Sequence, residues 1–247
     1  MQLLESQNIS KDHYLLKFKC NAPIKPGQFV EIKVNNLTDP LLRRPISIFN
    51  YEDNQLEIVV QKIGKATDIL CSSKDDSFDI IGPLGKGFTL VQGEKVLLIG
   101  GGVGNAPLYY LGKALKNLNC NITYIYGSRS SQHAYLLENY KAFCNEFHIT
   151  TDDGSIGQKG FASDILKEIF QNDYSAIYTC GPLPMMKAIH EIIGNANLEV
   201  SLENYFGCGI GICSGCTIET VNGLRQVCKD GPVFKASQLM WESLTAC

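Results

Sequence analysis

The sequence predicts a β + α/β chain: an N-terminal antiparallel β-barrel, a doubly wound parallel-sheet domain and a small C-terminal subdomain rich in cysteine. Three observations lead to this fold class. Hydrophobic and polar residues alternate with period two up to about residue 91, without a long helical pattern. From residue 95 to about 202, short apolar strands alternate with helical segments. The remaining residues carry a cluster of glycines and cysteines, so we divide the chain into residues 1–91, 92–202 and 203–247.

The composition is that of an ordinary globular protein. Of the 247 residues, 45% are hydrophobic and 19% charged, and 22 Lys and Arg against 25 Asp and Glu give a net charge of −3. This length is sufficient for two hydrophobic cores. The basic residues form no stripe that would neutralise a phosphate backbone, so we expect no nucleic-acid partner.

The start of the chain lacks the features of a secretory signal, because MQLLESQNIS has neither a basic start nor an apolar core. The most apolar stretch, Val96–Ile99, is far shorter than the ~20 residues of a membrane-spanning helix. We therefore expect a cytoplasmic protein without a membrane anchor.

The barrel is predicted from segments of alternating residues that turns separate. The segments are His13–Phe18 (HYLLKF), Phe29–Val34 (FVEIKV) and Leu56–Gln61 (LEIVVQ), with turns at Pro26-Gly27 and Asp53-Asn54. A glycine-rich break at residues 82–87 (GPLGKG) ends this region. Short strands of this kind, with no long helix between them, favour a small antiparallel barrel.

Two segments of the barrel are candidates for binding an anionic ligand. In Arg43-Arg44-Pro45-Ile46-Ser47, the proline imposes an extended backbone that directs Arg44 at a phosphate and Ser47 at a ring. A solvated pair of arginines is the alternative. The second segment, Gly64-Lys65-Ala66-Thr67, follows a strand and opens a predicted helix, whose first N–H groups can bind a phosphate.

The middle of the chain is predicted to form a parallel sheet with crossover helices, hence an open α/β domain. The predicted strands are Val96–Ile99, Ile122–Tyr126, Phe147–Thr150, Ala176–Thr179 and Glu199–Leu202, and the predicted helices lie near residues 106–117, 160–170 and 183–193.

The first of these strands runs into a glycine-rich loop, GGGVGNAP at residues 100–107. Backbone N–H groups at such a loop can hold the pyrophosphate of a dinucleotide, which makes Gly102, Val103, Gly104 and Asn105 candidate cofactor-binding residues. The pattern from Gly102 is G-x-G-x-x-P, and no acidic residue ends the second strand, where residues 127–130 read GSRS. A merely structural turn is therefore the alternative.

Other strand ends of this domain are further candidates, because ligands of open α/β sheets bind outside the carboxyl ends of the strands. They are Gly127–Arg129, Thr151-Asp152-Asp153-Gly154 and Cys180-Gly181-Pro182.

Four of the ten cysteines lie close together near the end of the chain. Cys208, Cys213 and Cys216 have the C-x4-C-x2-C spacing of plant-type ferredoxins, and Cys228 follows eleven residues later. Glycines between them allow a loop to wrap a two-iron cluster. Structural zinc and accidental clustering are the alternatives, although zinc ribbons usually have two C-x2-C knuckles. We predict that most of the other six cysteines are buried thiols.

The order of these motifs covers nearly the whole chain and resembles the ferredoxin reductase superfamily. Within it, the chain is similar to the family of electron-transfer subunits of NAD-dependent dihydroorotate dehydrogenases. The most specific local signals are GCGIGICSGC at residues 207–216 and CKDGPVF at residues 228–234.

This resemblance implies three cofactors: FAD on the barrel, NAD on the α/β domain and a [2Fe–2S] cluster on the four cysteines. It implies that Arg44, Pro45, Ile46 and Ser47 bind the flavin and its phosphates. Gly64, Lys65, Ala66 and Thr67 would lie at the FAD pyrophosphate. NAD would contact Gly102–Asn105 and Cys180–Pro182.

The resemblance also implies a partner, an FMN-containing dihydroorotate dehydrogenase catalytic subunit, in a heterotetramer with two copies of each chain. Electrons would pass between NADH, FAD, the cluster and the partner's FMN, in pyrimidine biosynthesis. Phe206, Ile210 and Ile212 are expected at the contact with the partner, unless they are core residues. His13, His133, His148 and His190 are interpreted as surface or core residues, because no carboxylates accompany them at catalytic spacing.

Two alternative functions remain at this stage. The same architecture would suit the flavin and iron–sulfur subunit of an NAD(P)-linked ferredoxin transhydrogenase or hydrogenase. A zinc-stapled binding module that has kept the fold would be a non-enzyme alternative, and it would lack the visible absorption of a flavin and a [2Fe–2S] cluster.

Overall fold

The N-terminal part of the chain forms a six-stranded antiparallel sheet. In the computed structural model, which describes residues 1–35, 38–73, 75–194 and 197–245, the strand order is β1-β2-β5-β4-β3-β6. The two edges meet through a bridge between Gln2 and Ser77, which closes the barrel. The elements are β1 (Leu3–Asn8), β2 (His13–Lys19), β3 (Phe29–Lys33), β4 (Arg44–Glu52), β5 (Gln55–Gln61), α1 (Lys65–Ser72) and β6 (Asp79–Leu84).

Alternation along the strands explains the core of the barrel. Every second residue of β3, namely Val30 and Ile32, points into it together with Ile48 and Ile58 from the neighbouring strands. The intervening residues of β3, including Glu31, point outward. This outward face of β3 is covered by the C-terminal segment of the chain, as described below.

The second sheet has seven strands in the order β10-β9-β8-β7-β11-β12-β15. All pairs are parallel except β12 with β15. The strands are β7 (Lys95–Gly101), β8 (Asn121–Ser128), β9 (Glu146–Thr151), β10 (Gln158–Lys159), β11 (Ala176–Cys180), β12 (Leu198–Ser201) and β15 (Val233–Lys235).

Helices cover both faces of this sheet. The helices α2 (Asn105–Asn117) and α3 (Leu137–Lys141) pack on one face, and α4 (Ala162–Ile169) and α5 (Leu183–Ile193) on the other. The chain proceeds from β7 to β10 on one side and returns through β11 on the other, so the order reverses at β7. The predicted class of a barrel and a doubly wound parallel-sheet domain is therefore confirmed, and the switch point lies at the carboxyl ends of β7 and β11.

The cysteine-rich segment lies between the last two strands of the second sheet. It contains the hairpin β13 (Thr217–Thr220) and β14 (Gly223–Gln226) and the short helix α6 (Val227–Asp230). The chain then enters β15, which pairs with β12, and the buried Phe234 and Leu239 join the core under α5. The sheet thus takes its last strand from beyond residue 202, where the sequence analysis places the end of the nucleotide domain.

The barrel and the α/β domain share a packed boundary. Phe49 of the barrel stacks on Tyr109 of α2, with ring centroids 4.2 Å apart. Glu52 accepts a charged hydrogen bond from Lys113 of the same helix at 2.8 Å. Within the described residues, no helix is long and apolar enough to span a bilayer.

Candidate functional site

A cleft of about 1050 Å³ opens at the carboxyl ends of β7 and β11. Its walls include the glycine loop after β7 and the first residues of α5. Gly215 and Thr217 of the cysteine-rich segment contribute the opposite side. This volume is at the upper end of the range for small-molecule sites and is sufficient for a dinucleotide.

Close packing between backbones fixes the shape of the glycine loop. A Cβ on Gly104 would lie 2.5 Å from the carbonyl oxygen of Cys180 and 2.6 Å from Cα of Gly181. Gly102 has φ +57° and open space around it. Gly104 therefore allows the ends of β7 and β11 to touch. Gly102 allows a left-handed turn that L side chains rarely adopt.

The predicted nucleotide residues divide into two groups in the structure. Gly102, Val103, Gly104, Gly181 and Pro182 line the cleft. The side chains of Asn105 and Cys180 are buried behind it. Asn105 donates hydrogen bonds to the carbonyls of Gly102 (2.9 Å) and Gly127 (3.1 Å), so it holds two strand ends together rather than pointing into the cleft.

The two arginines before β4 have different surroundings. Arg43 donates one hydrogen bond to the backbone carbonyl of Asp79 and a second to its carboxylate, and the second lowers the pKa of that carboxyl. Arg44 donates only to the carbonyls of Leu42 (2.7 Å) and Arg43 (3.2 Å) and pairs with no carboxylate among the described residues. The Arg44 charge is therefore free to bind an anion.

The rest of this segment lies on both faces of the barrel wall. Pro45 and Ser47 stand opposite Glu31 and Phe29 and share their outward face. Ile46 packs against the barrel core. Of the predicted flavin residues in this strand, Pro45 and Ser47 therefore face outward.

The second predicted segment lies beside the first, because Lys65 forms an ion pair with Asp39. The Thr67 hydroxyl accepts hydrogen bonds from the N–H groups of Ile63 (3.0 Å) and Gly64 (3.1 Å), and Ala66 is buried. Nothing lies within 4 Å of a Cβ built on Gly64. The exposed apolar side chains of Leu41 and Ile63 flank this surface, which fits a large, partly apolar ligand such as FAD.

The four cysteines of the C-terminal segment form two pairs, Cys208 with Cys213 and Cys216 with Cys228. None forms a disulfide. In the parts of the chain that the structure describes, no three His, Cys, Asp or Glu side chains converge on one metal ion. Two pairs of thiolates are what a cluster with two irons requires, since each iron takes two of the four cysteines.

Backbone N–H groups surround these sulfurs. Ile212 and Cys213 donate to Sγ of Cys208 at 3.3 and 3.4 Å, and Gly215 donates to Sγ of Cys213 at 3.4 Å. Burial opposes ionisation of Cys208, but the backbone donors outweigh it and lower its pKa to about 6. Burial and the neighbouring Cys216 raise the pKa of Cys228 to about 12. The backbone donors thus stabilise negative charge on Cys208, whereas burial opposes it on Cys228.

The other described cysteines lie outside this group of four. Cys20, Cys71, Cys120 and Cys180 are buried and Cys144 is half-buried. Cys247 lies outside the described residues.

Sequence reasoning did not single out several residues at these sites. Glu203 lines the cleft two residues after the end of β12, and an acidic residue close to a strand end was the available signal. His13 and His133 line the cleft too, although His13 is 1% exposed and stacks on Tyr135 at 4.8 Å. Glu31 is a buried carboxyl beneath the cysteine loop, and nothing in the pattern FVEIKV distinguishes it from a solvated strand residue.

A closed barrel, a doubly wound domain with a cleft at its switch point and a ferredoxin-like cysteine loop define a ferredoxin reductase-like oxidoreductase. Two family models match the chain: the oxidoreductase NAD-binding domain over residues 98–191 and the iron–sulfur cluster binding domain of dihydroorotate dehydrogenase B over residues 203–240. The chain belongs to the family of electron-transfer subunits of NAD(+)-dependent dihydroorotate dehydrogenase B.

Curated relatives and solved structures agree with this family. The electron transfer subunit of dihydroorotate dehydrogenase B (NAD(+)) from Bacillus caldolyticus is 37% identical over 225 residues, which is 87% of each chain. That from Shouchella clausii is 35% identical over 97% of each chain. A structure of NADH-dependent reduced ferredoxin-NADP oxidoreductase matches with a TM-score of 0.88 and 28% identity, over 98% of this chain and 90% of the other.

Proposed function

We propose that this chain carries electrons between NADH and the FMN of a dihydroorotate dehydrogenase catalytic subunit, through FAD and a [2Fe–2S] cluster, in pyrimidine biosynthesis. One observation carries the proposal: the cysteine loop lies between the other two candidate sites. Phe206 packs on Phe29 of β3 with ring centroids 5.1 Å apart, next to the R-P-x-S strand. Gly215 and Thr217 line the nucleotide cleft.

Each part of the chain has its own task in this proposal. Residues 1–91 bind FAD, residues 92–202 bind NAD, and residues 203–247 hold the cluster. Arg44 and the first turn of α1 neutralise the FAD phosphates, while Pro45 and Ser47 contact the flavin. The loops at Gly102–Asn105 and Cys180–Pro182 bind NAD. The metal ligands are Cys208, Cys213, Cys216 and Cys228.

The protein's contribution to the reaction is binding, orientation and electrostatics. When bound, FAD takes two electrons as a hydride and the cluster carries them one at a time. The contact between Gly104 and Cys180 fixes the shape of the loop that would bind the nicotinamide nucleotide. The backbone N–H groups around Cys208 stabilise negative charge on its sulfur.

We propose that the catalytic subunit docks over the cysteine loop and that two copies of each chain assemble. Ile210 is 46% exposed and Ile212 78% exposed, and both belong to the loop. Tyr205 is also exposed, whereas Phe206 is half-buried and packs against Phe29 of this chain. An apolar surface at a proposed electron exit supports docking there, since donor and acceptor must lie close together.

The similarity to NADH-dependent reduced ferredoxin-NADP oxidoreductase favours one second candidate, a subunit that serves a ferredoxin-linked transhydrogenase. The two functions share cofactors and differ in the electron acceptor. The acceptor therefore has to be tested directly.

The test is cofactor analysis and reconstitution of the oxygen-protected protein. We expect FAD, iron and sulfide, and no zinc, together with NADH-dependent orotate reduction when an FMN-containing dihydroorotate dehydrogenase is added. Zinc without flavin would support the binding-module alternative. NADH-dependent reduction of ferredoxin without orotate reduction would support the transhydrogenase.

A further inference from the structure

Glu31 occupies an unusual place for a carboxyl group. It lies in the middle of β3 on the outward face, between the barrel wall and the cysteine-rich segment. Phe29, two residues earlier on the same face, is covered by Phe206. Glu31 itself is 2% exposed. A charged residue at such a position costs stability unless it is paired.

The described part of the surrounding chain leaves one oxygen of this carboxyl without a hydrogen bond. Its Oε1 has no hydrogen-bond partner among the described residues. Arg43 and Arg44 donate their hydrogen bonds elsewhere, and their charges only partly offset the burial that raises the pKa of Glu31. Glu31 is therefore not retained for the stability of the barrel.

The free carboxyl oxygen points at the cysteine loop. A Cβ built on Gly209 would lie 2.4 Å from Oε1 of Glu31, and Gly209 has φ +70°. Both the backbone conformation and the space therefore require glycine at this position. The loop closes on the carboxyl one residue after Cys208, the first of the four proposed iron ligands.

We propose that Glu31 is a positioning residue whose buried negative charge lowers the reduction potential of the iron–sulfur cluster. Reduction adds an electron to the cluster, and a nearby negative charge opposes that addition. Because Glu31 is buried, solvent and salt screen its charge less than they screen a surface charge. This inference rests on the cluster in the proposed function.

The experiment is an anaerobic reductive titration of the complete holoprotein, with the cluster followed by electron paramagnetic resonance and the flavin by its absorption. Burial raises the pKa of Glu31 to about 7, so the titration is run at about pH 9, where this carboxyl is ionised. Glu31→Gln keeps the shape of the side chain and removes its charge. Glu31→Asp keeps the charge and withdraws it from the loop. Glu57→Gln is the control, because Glu57 is a partly buried carboxyl of β5, bonded to Asn50 at 3.1 Å.

We expect a more positive cluster potential in Glu31→Gln, a smaller rise in Glu31→Asp and none in Glu57→Gln. The shift of the cluster should exceed that of the flavin. An unchanged cluster potential in Glu31→Gln with full iron content overturns the inference, as does a larger shift of the flavin.

If Glu31→Gln does not retain iron, the test rests on Glu31→Asp. A more positive cluster potential in Glu31→Asp supports the inference, and an unchanged or more negative potential overturns it. A parent protein without a [2Fe–2S] spectrum overturns the proposed function and this inference with it. A cluster-containing Glu31→Gln protein with the parental potential overturns this inference alone.

Discussion

Arg43 and Arg44 are adjacent in sequence and differ in what they bind. Arg44→Ala should weaken FAD binding about 10- to 150-fold, because a charge-assisted phosphate contact contributes roughly 1.5–3 kcal/mol. Arg43→Ala removes a surface pair with Asp79, which contributes about 0–1 kcal/mol to stability and touches no proposed flavin contact. Fluorescence titration of the apoprotein with FAD measures both affinities. Equal losses in the two variants would contradict the assignment of Arg44.

His13 predicts how stability depends on pH. Burial lowers its pKa below the usual 6.5, and His133 adds to this effect against the opposing charge of Asp12. Below about pH 6.5 the unfolded chain therefore binds more protons than the folded chain, so the free energy of unfolding falls as the pH falls.

Urea unfolding at about pH 5.5 and about pH 7.5 tests this, on either side of the ordinary histidine pKa. The parent should lose more stability between the two values than His13→Gln. The same pH dependence in both proteins would show that His13 titrates normally.

At the scale of single residues, the sequence identifies functional residues where their spacing alone indicates the chemistry. Cys208, Cys213, Cys216 and Cys228 could be selected because a loop that wraps a cluster needs that spacing and those glycines. Glu31 could not be selected, because its burial depends on a loop that lies nearly 180 residues later in the chain. The division of tasks between Arg43 and Arg44 likewise depends on Asp79, which only the folded barrel brings close.

At the scale of secondary-structure elements, the packing of the glycine loop after β7 predicts the effect of a substitution on stability and NADH binding. In Gly104→Ala the new methyl group would meet the backbone of Cys180 and push the ends of β7 and β11 apart. We expect a loss of about 1–3 kcal/mol in stability and weaker NADH binding, because overpacking displaces backbone.

Gly93→Ala is the matched control: its methyl group would meet open space and Gly93 does not line the cleft, so its φ of +69° should cost stability without weakening NADH binding. Thermal unfolding and NADH titration compare the two variants. If Gly104→Ala bound NADH as tightly as the parent, the approach of the two strands would have no role in the nucleotide site.

The cysteine loop makes a second prediction at this scale. Cys213→Ser should damage or abolish the cluster and leave the barrel and the nucleotide domain folded, because both have cores of their own. NADH-dependent reduction of a small dye should persist in the FAD-bound fraction, whereas orotate reduction by the complex should collapse. Cys144→Ser, at a half-buried cysteine outside the loop, should change neither activity. Normal orotate reduction in a cluster-free protein would remove the cluster from the pathway.

The elements differ in how well the sequence predicts them. The alternating segments of β2, β3 and β5 and the buried strands of the α/β domain have clear periodicity, and all were predicted. The three-residue strand β15 was not, because VFK carries no periodic signal and pairs only with a strand that precedes it by more than 30 residues. Strand β1 was also missed, since five of its six residues are exposed.

At the scale of the whole molecule, the apolar residues around the cysteine loop predict where the partner binds. Ile210→Asp should weaken assembly with the catalytic subunit about 30-fold, as expected for the loss of an interface residue worth about 2 kcal/mol. Leu4→Asp is the matched control, because Leu4 lies on β1 of the barrel and is 46% exposed, as Ile210 is.

Light scattering of the mixed chains measures assembly, and iron analysis checks that the cluster is intact. Equal weakening by both substitutions would place the interface elsewhere. A complex with other than two copies of each chain would correct the proposed stoichiometry.

The fold class and the order of motifs follow from the sequence, because each domain carries its own periodic signal. The contacts between the domains do not follow from the sequence. Nothing in the linear pattern shows that the cysteine loop touches both the barrel at Phe29 and the nucleotide cleft at Thr217. These contacts arise from tertiary packing between segments far apart in the chain.

The pairing of β15 with β12 bears on the order in which the holoprotein is assembled. Ser201 and Val233 are neighbours across this pair, so both ends of the cysteine-rich segment are held about 5 Å apart by the sheet. The segment is thus an insertion between two strands and not a free tail. Pairing of β12 with β15 already brings the two ends of the segment together, so cluster binding does not have to supply the entropy cost of closing this loop. The polypeptide can therefore complete its sheet first and receive iron and sulfide afterwards, into a loop whose two ends are already in place.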